Sequence, residues 1–289
     1  MVSAAIDIGT NSVRLLVGEV LETGVREIAR GLSSTRLGEG GFGGCLRRPA
    51  MERTARAVAV FARRSVQLGA RRLTAAATSA VRQAVNREEF LCLVREAAGV
   101  SVRVLSGREE ALYTYRGVVS GLSLDPAATL VLDVGGGSTE FIWTRAGELC
   151  TLSVEVGAVR LLEQGPRERE KLAGHLSAAL QKIRQSRNIE EVVAVGGTAT
   201  SLAAVDMGLK IYRPELVHGY RLPASRVYEL LAELRAKSLE ERQKMPGLAP
   251  ERADIIVFGT LIIAEVLQGL GLKGVTVSEC DLLHGLLLE

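Results

Sequence analysis

The chain has 289 residues, 47% hydrophobic and 24% charged, with a formal net charge of +3. That length allows one large or two ordinary domains with ample core, which excludes a disordered chain, and the near balance of charge argues against global affinity for nucleic acid or membranes. Four widely spaced cysteines, Cys45, Cys92, Cys150 and Cys280, show no CxxC pairing and predict buried or incidental thiols in a reducing cytoplasm. The opening apolar run is short, lacks a basic leader and is interrupted by Asp7, so no export signal is expected.

In chain order, alternation over residues 2–19 and 27–32 predicts the strands of an opening meander, with Thr23-Gly24 as the turn between them. Residues 50–68 read as a helix and 73–77 as a short buried strand. Asn86 reads as a helix start with Glu89 placed to complete a capping box. A strand over 102–105 precedes a helix that runs through Val119. The second half repeats the plan, with strands at 130–133, 139–144 and 148–155, a helix over 167–183, a strand at 192–195, and helical pattern from Ala224 onward to a last strand at 275–277. Residues 255–272 reach membrane-spanning length but contain Glu265, Gln268 and three glycines, which predicts a buried core helix. The hinge is expected at 123–128, where Asp125-Pro126 breaks the pattern, giving domains 1–124 and 125–289.

Two segments carry nearly the same message. Ile6-Asp7-Ile8-Gly9-Thr10-Asn11-Ser12 and Leu132-Asp133-Val134-Gly135-Gly136-Gly137-Ser138-Thr139 each end an apolar strand with Asp and turn on glycine into hydroxyl residues. Glycine lets backbone N–H groups approach a phosphate closely, and an Asp at the strand end can hold a divalent cation over it. Two copies predict two domains facing one polyanion. Between Arg47 and Arg72, eight arginines stand against a single acid, Glu52; the stripe reads as a solvated helix face that would also attract an extended polyanion.

This plan, with a third turn at Gly196-Gly197-Thr198, resembles the sugar kinase, Hsp70 and actin superfamily. Further segments narrow it: the stretch from Ala77-Thr78-Ser79-Ala80-Val81-Arg82 to Asn86, Ser106-Gly107-Arg108-Glu109-Glu110-Ala111, Asp133 through Glu140, and Arg252-Ala253-Asp254 resemble, in order and across the chain, the Ppx/GppA family of exopolyphosphatases and guanosine pentaphosphate phosphohydrolases. The resemblance implies an α/β fold of two actin-like (ribonuclease H-like) domains with the active site in the cleft between them. It implies Mg²⁺, with Mn²⁺ as the substitute, and hydrolysis of a terminal phosphoryl group from polyphosphate or pppGpp, the latter a molecule of the stringent response. A cytoplasmic location, no membrane or specific nucleic-acid partner, and a short two-domain form open to homodimerisation complete the expectation.

The site residues follow. Ser106 and Glu109 have capping-box spacing, which leaves Glu110 as the general base. Asp7, Asp133 and Glu140 are the expected metal ligands; Glu140 has the alternative of simply alternating outward on its strand. Phosphate donors are expected from Thr10, Asn11, Ser12, Gly135, Gly136, Gly137, Ser138 and Thr139, and from Gly196, Gly197 and Thr198 for a more distal phosphate or, alternatively, a nucleoside. Arg82 and Arg14 add positive charge, Arg14 having the alternative of a surface ion pair. His175, His218 and His284 show no metal spacing, and Trp143 is expected in packing. The family's Leu-Arg-Glu/Asp-Gly pattern is replaced here by Leu282-Leu283-His284-Gly285.

Overall fold

The computed structural model describes residues 1–22, 24–40, 44–166, 170–186 and 189–289. Thr23 of the expected first turn, and Arg167 at the expected start of a helix, lie outside them. The chain forms two compact units, Met1–Gly121 together with Cys280–Glu289, and Leu122–Glu279. The first boundary lies close to the expected hinge. The second corrects the expectation that the C-terminal domain runs to Glu289, because residues 280–289 return to the first unit and bury Leu282, Leu283, Leu286 and Leu287 there.

In the first unit, β1 (Val2–Ile8), β2 (Val13–Leu21) and β3 (Gly24–Ser33) form the antiparallel meander, and β4 (Arg72–Ala77) and β5 (Val102–Val104) extend the sheet in parallel from β1, in the order β3-β2-β1-β4-β5. Helices α1 (Arg48–Gln67), α2 (Ser79–Gln83), α3 (Arg87–Ala98) and α4 (Gly107–Gly121) connect these strands. Alternate strand residues face opposite layers. Ala4, Ile6 and Ile8 join the core with Met51, Val58, Phe61 and Phe90, whereas Ala5 and Leu16 join Leu105, Tyr113 and the returning C-terminal leucines. Full burial of each large apolar side chain contributes about 1.5–3 kcal/mol.

In the second unit, β6 (Thr129–Val134), β7 (Thr139–Arg145) and β8 (Glu148–Val154) repeat the meander. β9 (Glu191–Val195) and β11 (Gly274–Val277) are the parallel strands, and β10 (Arg221–Pro223) adds an antiparallel edge, in the order β10-β11-β9-β6-β7-β8. The three antiparallel and two parallel strands follow the same sequence in both units, which is the actin-like arrangement. The helices are α5 (Ala158–Gln164), α6 (Leu172–Ser186), α7 (Gly196–Asp206), α8 (Pro214–Val217), α9 (Ala224–Ala236), α10 (Leu239–Gln243) and α11 (Ile256–Leu270). α11 is the apolar core helix expected from the sequence, with Ile262, Ile263, Val266 and Leu267 buried. Among the described residues no helix is long and apolar enough to cross a membrane. Trp143 is buried in this core, and the four cysteines are free thiols.

The returning segment ends in α12 (Leu282–Leu287), which packs on α4 at near-backbone distance. Gly117 lies against the Asp281 backbone and Gly285 against the Tyr113 backbone; a Cβ at either would overlap it. One local expectation fails. Asn86 precedes α3, but its side chain makes no cap: its amide bonds both the N–H and the carbonyl of Leu46, and Glu89 pairs with Arg48.

Candidate active site

Parallel strands of an open α/β sheet present their carboxyl ends to a common edge, where ligands bind. In the first unit this edge gathers the turn after β1, the start of α2 after β4, and the start of α4 after β5. The β1–β2 turn is closed by a bond from the Gly9 N–H to the Ser12 carbonyl at 3.0 Å. Two more of its carbonyls are occupied: Thr10 O accepts from Gly38 N at 2.9 Å and Asn11 O from Arg36 N at 2.8 Å. Thr10, Asn11 and Ser12 are all buried, and the Asn11 amide donates to the Ser12 hydroxyl at 3.3 Å.

At the start of α4, Glu109 Oε2 accepts from the Ser106 N–H at 2.8 Å, and the Ser106 hydroxyl accepts from the Glu109 N–H at 3.2 Å. This is the expected capping box. Glu110 points elsewhere and is buried, its Oε2 accepting from Arg82 Nη1 at 2.6 Å. The same Arg82 nitrogen donates to the Leu105 carbonyl at 2.9 Å. The structure therefore brings together the two residues expected as general base and phosphate-binding cation, from different loops of one sheet edge.

Asp7 and Arg14 are register partners across β1 and β2. Arg14 donates to Asp7 Oδ2 from Nε at 3.0 Å and from Nη2 at 2.7 Å, and its Nη1 engages Asp281 Oδ2. The guanidinium is thus held between two buried carboxylates, neither offered to phosphate nor in an exposed surface pair. Burial raises the Asp7 carboxyl above its ordinary range, an effect Arg14 only partly offsets. For Asp281 the same burial penalty is outweighed by Arg14 and His284, which hold it below that range. Sequence reasoning misses Asp281, which lies far from Arg14 along the chain and in no recognised motif. Asp7 Oδ1 is buried with no hydrogen-bond partner. A bare, buried carboxylate oxygen is the hard donor that Mg²⁺ takes, so Asp7 fits a cation site on this observation.

The second unit repeats the turn. Gly135 N–H donates to Ser138 O at 3.0 Å, and Asp133 faces Glu140 at the register where Asp7 faces Arg14. The glycine carbonyls are turned into the start of α5: Gly135 O accepts from Ala158 N, Gly136 O from Val159 N and Arg160 N, and Gly137 O from Arg160 Nε at 2.9 Å. With its carbonyls committed this way, the turn offers its N–H side to an anion. Thr139 is placed differently from expectation, its hydroxyl donating to Val156 O at 2.6 Å. Glu140 is buried and accepts from Ser153 at 3.0 Å, so it faces inward beside Asp133 and does not alternate out to solvent.

The third turn adjoins the second. Gly196, with φ +84°, lies where a Cβ would stand 3.0 Å from Asp133 Oδ1, and Gly197 lies against the Arg252 guanidinium. The motif Arg252-Ala253-Asp254 signals this arginine in the sequence without revealing what it covers. Thr198 is buried against Gly259. Among the described residues no three potential metal ligands cluster; Asp133 and Glu140 are neighbours in one unit, and Asp7 lies against Arg14 in the other. His218 has a backbone role, its Nδ1 accepting from Glu279 N at 3.1 Å.

Two α/β units of this topology, each ending its first strand in an acid and a tight Gly–Ser turn, define a protein of the actin-like class. The Ppx/GppA phosphatase family model matches residues 16–289, and the chain belongs to that family. It is similar to Exopolyphosphatase 2 of Mycobacterium tuberculosis, at 31% identity over 99% of this chain and 97% of that one. Similarity to a guanosine-5'-triphosphate,3'-diphosphate pyrophosphatase of Vibrio vulnificus is 29% over 99% of this chain and 58% of the relative. Among solved structures, an exopolyphosphatase from Cytophaga hutchinsonii superposes with TM-score 0.90 at 26% identity, covering 100% of this chain and 97% of the other.

Proposed function

We propose that this phosphoanhydride hydrolase is a cytoplasmic exopolyphosphatase that releases terminal orthophosphate from inorganic polyphosphate. The observation that carries the hydrolytic reading is the buried Glu110 carboxylate held by Arg82 at a sheet edge beside a phosphate-binding turn. Glu110 accepts the proton of the water that attacks the terminal phosphorus, a role worth ~10²–10⁴-fold in rate. Both Arg82 Nη1 bonds go to protein, and its Nη2 edge supports charge on the terminal phosphate. The Gly9–Ser12 and Gly135–Ser138 turns bind phosphate oxygens through N–H groups, and the third turn at Gly196 to Thr198 holds a more distal phosphate. Mg²⁺ or Mn²⁺, when bound, would screen the phosphate charge and orient the reacting group; the carboxylates that would hold it are Asp7 in the first unit, and Asp133 with Glu140 in the second.

The arginine stripe supports polyphosphate over a nucleotide, since Arg47, Arg56, Arg63, Arg64 and Arg71 are exposed along and beside α1. The second reading, pppGpp 5'-phosphohydrolase, is kept because of the relative with that activity in its name. The test is orthophosphate release from long-chain polyphosphate, tripolyphosphate, pppGpp and ATP, with and without Mg²⁺. Preference for the long chain is expected. Faster release from pppGpp would select the second reading, and tight binding without release would make the protein a polyphosphate or ppGpp sensor.

A further inference from the structure

Arg14 has a planar fork that could cover both oxygens of a single carboxylate, the geometry guanidinium prefers. Here it does not. Nε and Nη2 both converge on Asp7 Oδ2, Nη1 is drawn away to Asp281 Oδ2, and Asp7 Oδ1 remains bare in a buried position. Asp281 is itself fixed from three sides. Its Oδ1 accepts from the Leu283 N–H at 3.0 Å as the cap of α12, its backbone lies against Gly117 of α4, and the His284 ring packs 3.4 Å from its backbone nitrogen. His284 is anchored in turn to Glu27 on β3 at 3.0 Å.

We propose that Asp281 is a positioning residue: by engaging Arg14 Nη1 it keeps the guanidinium from forking onto both oxygens of Asp7, and so holds Asp7 Oδ1 open for a divalent cation. This rests on the reading that Asp7 contributes to the cation site. Without the second carboxylate, the buried Arg14 would leave donors unpaired and would rotate to satisfy them on Oδ1. A segment from the end of the sequence thereby sets the ligand geometry of a residue at its beginning.

The test measures Mn²⁺ affinity of the full chain by the electron paramagnetic resonance signal of free Mn²⁺, with thermal unfolding in parallel. Asp281→Asn is expected to weaken Mn²⁺ binding about 10–100-fold, as for other groups that orient a metal ligand. Adding Arg14→Lys to it should restore binding, because an ammonium cannot fork across two oxygens. A purely structural role would lower stability without that rescue. Unchanged affinity in Asp281→Asn, or a failure of Arg14→Lys to rescue it, would overturn the proposal. Asp7→Asn separates the two ideas: if it binds Mn²⁺ like wild type, the cation reading of Asp7 fails instead. Should Asp281→Asn not fold, Arg14→Lys is compared with Arg14→Lys/Asp281→Asn; equal affinity is expected, and a further loss overturns the role of Asp281.

Discussion

Arg82 Nη1 lies 2.6 Å from Glu110 Oε2, although the two residues leave the sheet from different strands. The link depends on the neighbouring capping box, because Glu109 is the acid that closes the helix start and Glu110 is the one turned toward the arginine.

Replacing Glu110 with Gln keeps a carbonyl for Arg82 and removes basicity. Turnover should fall by ~10²-fold or more with substrate binding and unfolding temperature retained, as measured by steady-state phosphate release and calorimetry. Glu109→Gln can still cap α4 and should lose little. Equal losses in the two variants would take Glu110 out of the proton transfer.

Gly157 supports the second phosphate turn by its lack of a side chain. A Cβ there would meet the Gly136 carbonyl carbon at 2.5 Å and the Gly137 nitrogen at 2.6 Å, both backbone atoms that cannot swing aside. Gly157→Ala should displace the turn, cost roughly 1–3 kcal/mol in urea unfolding, and raise KM for polyphosphate more than it lowers kcat. A KM equal to wild type would show that this turn does not bind the substrate.

The stripe on α1 is tested by neutralising Arg63, Arg64 and Arg71 to Gln. Arg48 and Arg53 pair with Glu52 and Glu39, and Arg72 lies 3.8 Å from Glu289, so they are left in place. Long-chain polyphosphate should bind markedly less well, with little change for tripolyphosphate. Raised salt should mimic the loss, since exposed charges are screened over ~8–10 Å at physiological ionic strength. Equal effects on both lengths would mean a solvated helix face only.

His284 gives a pH signature of stability. Burial opposes its charge, but bonds to Cys280 and Glu27 outweigh that and push its pKa up to about 9. Since the unfolded ring titrates near about 6.5, the charged form stabilises the fold fully below that pH, and the contribution is lost as pH rises through about 9. Burial likewise opposes the charge of Glu27, yet Arg30 and His284 hold its pKa down to about 2, so its share is complete above about 4.5 and is lost as pH falls toward 2. The unfolding temperature of wild type should therefore drop more steeply from pH 6.5 to 9 than that of His284→Gln. Parallel curves would remove the ring from the account.

What was legible in the sequence was mostly local or repeated. Strands announced themselves by alternation, the Ser106–Glu109 box by a spacing of three, and the two Asp–Gly turns by resembling each other. Asn86 satisfied the same local rule and still failed as a cap, because Leu46 offered its amide both a donor and an acceptor. The Arg14–Asp281 pair and the return of residues 280–289 to the first unit were not legible, since contacts across most of the chain leave no periodicity or spacing. The inward direction of Glu140 depended on Ser153, supplied by the next strand.

The return of α12 to the first unit also bears on how the polypeptide acquires its shape during synthesis. The second unit is one contiguous stretch, whereas the first lacks a helix on one face of its sheet until residues 280–289 emerge from the ribosome. The later unit can thus mature before the earlier one. Until then the face formed by Ala5, Leu16, Leu105 and Tyr113 lacks the covering of Leu282, Leu283, Leu286 and Leu287, which makes it the face a chaperone would shield.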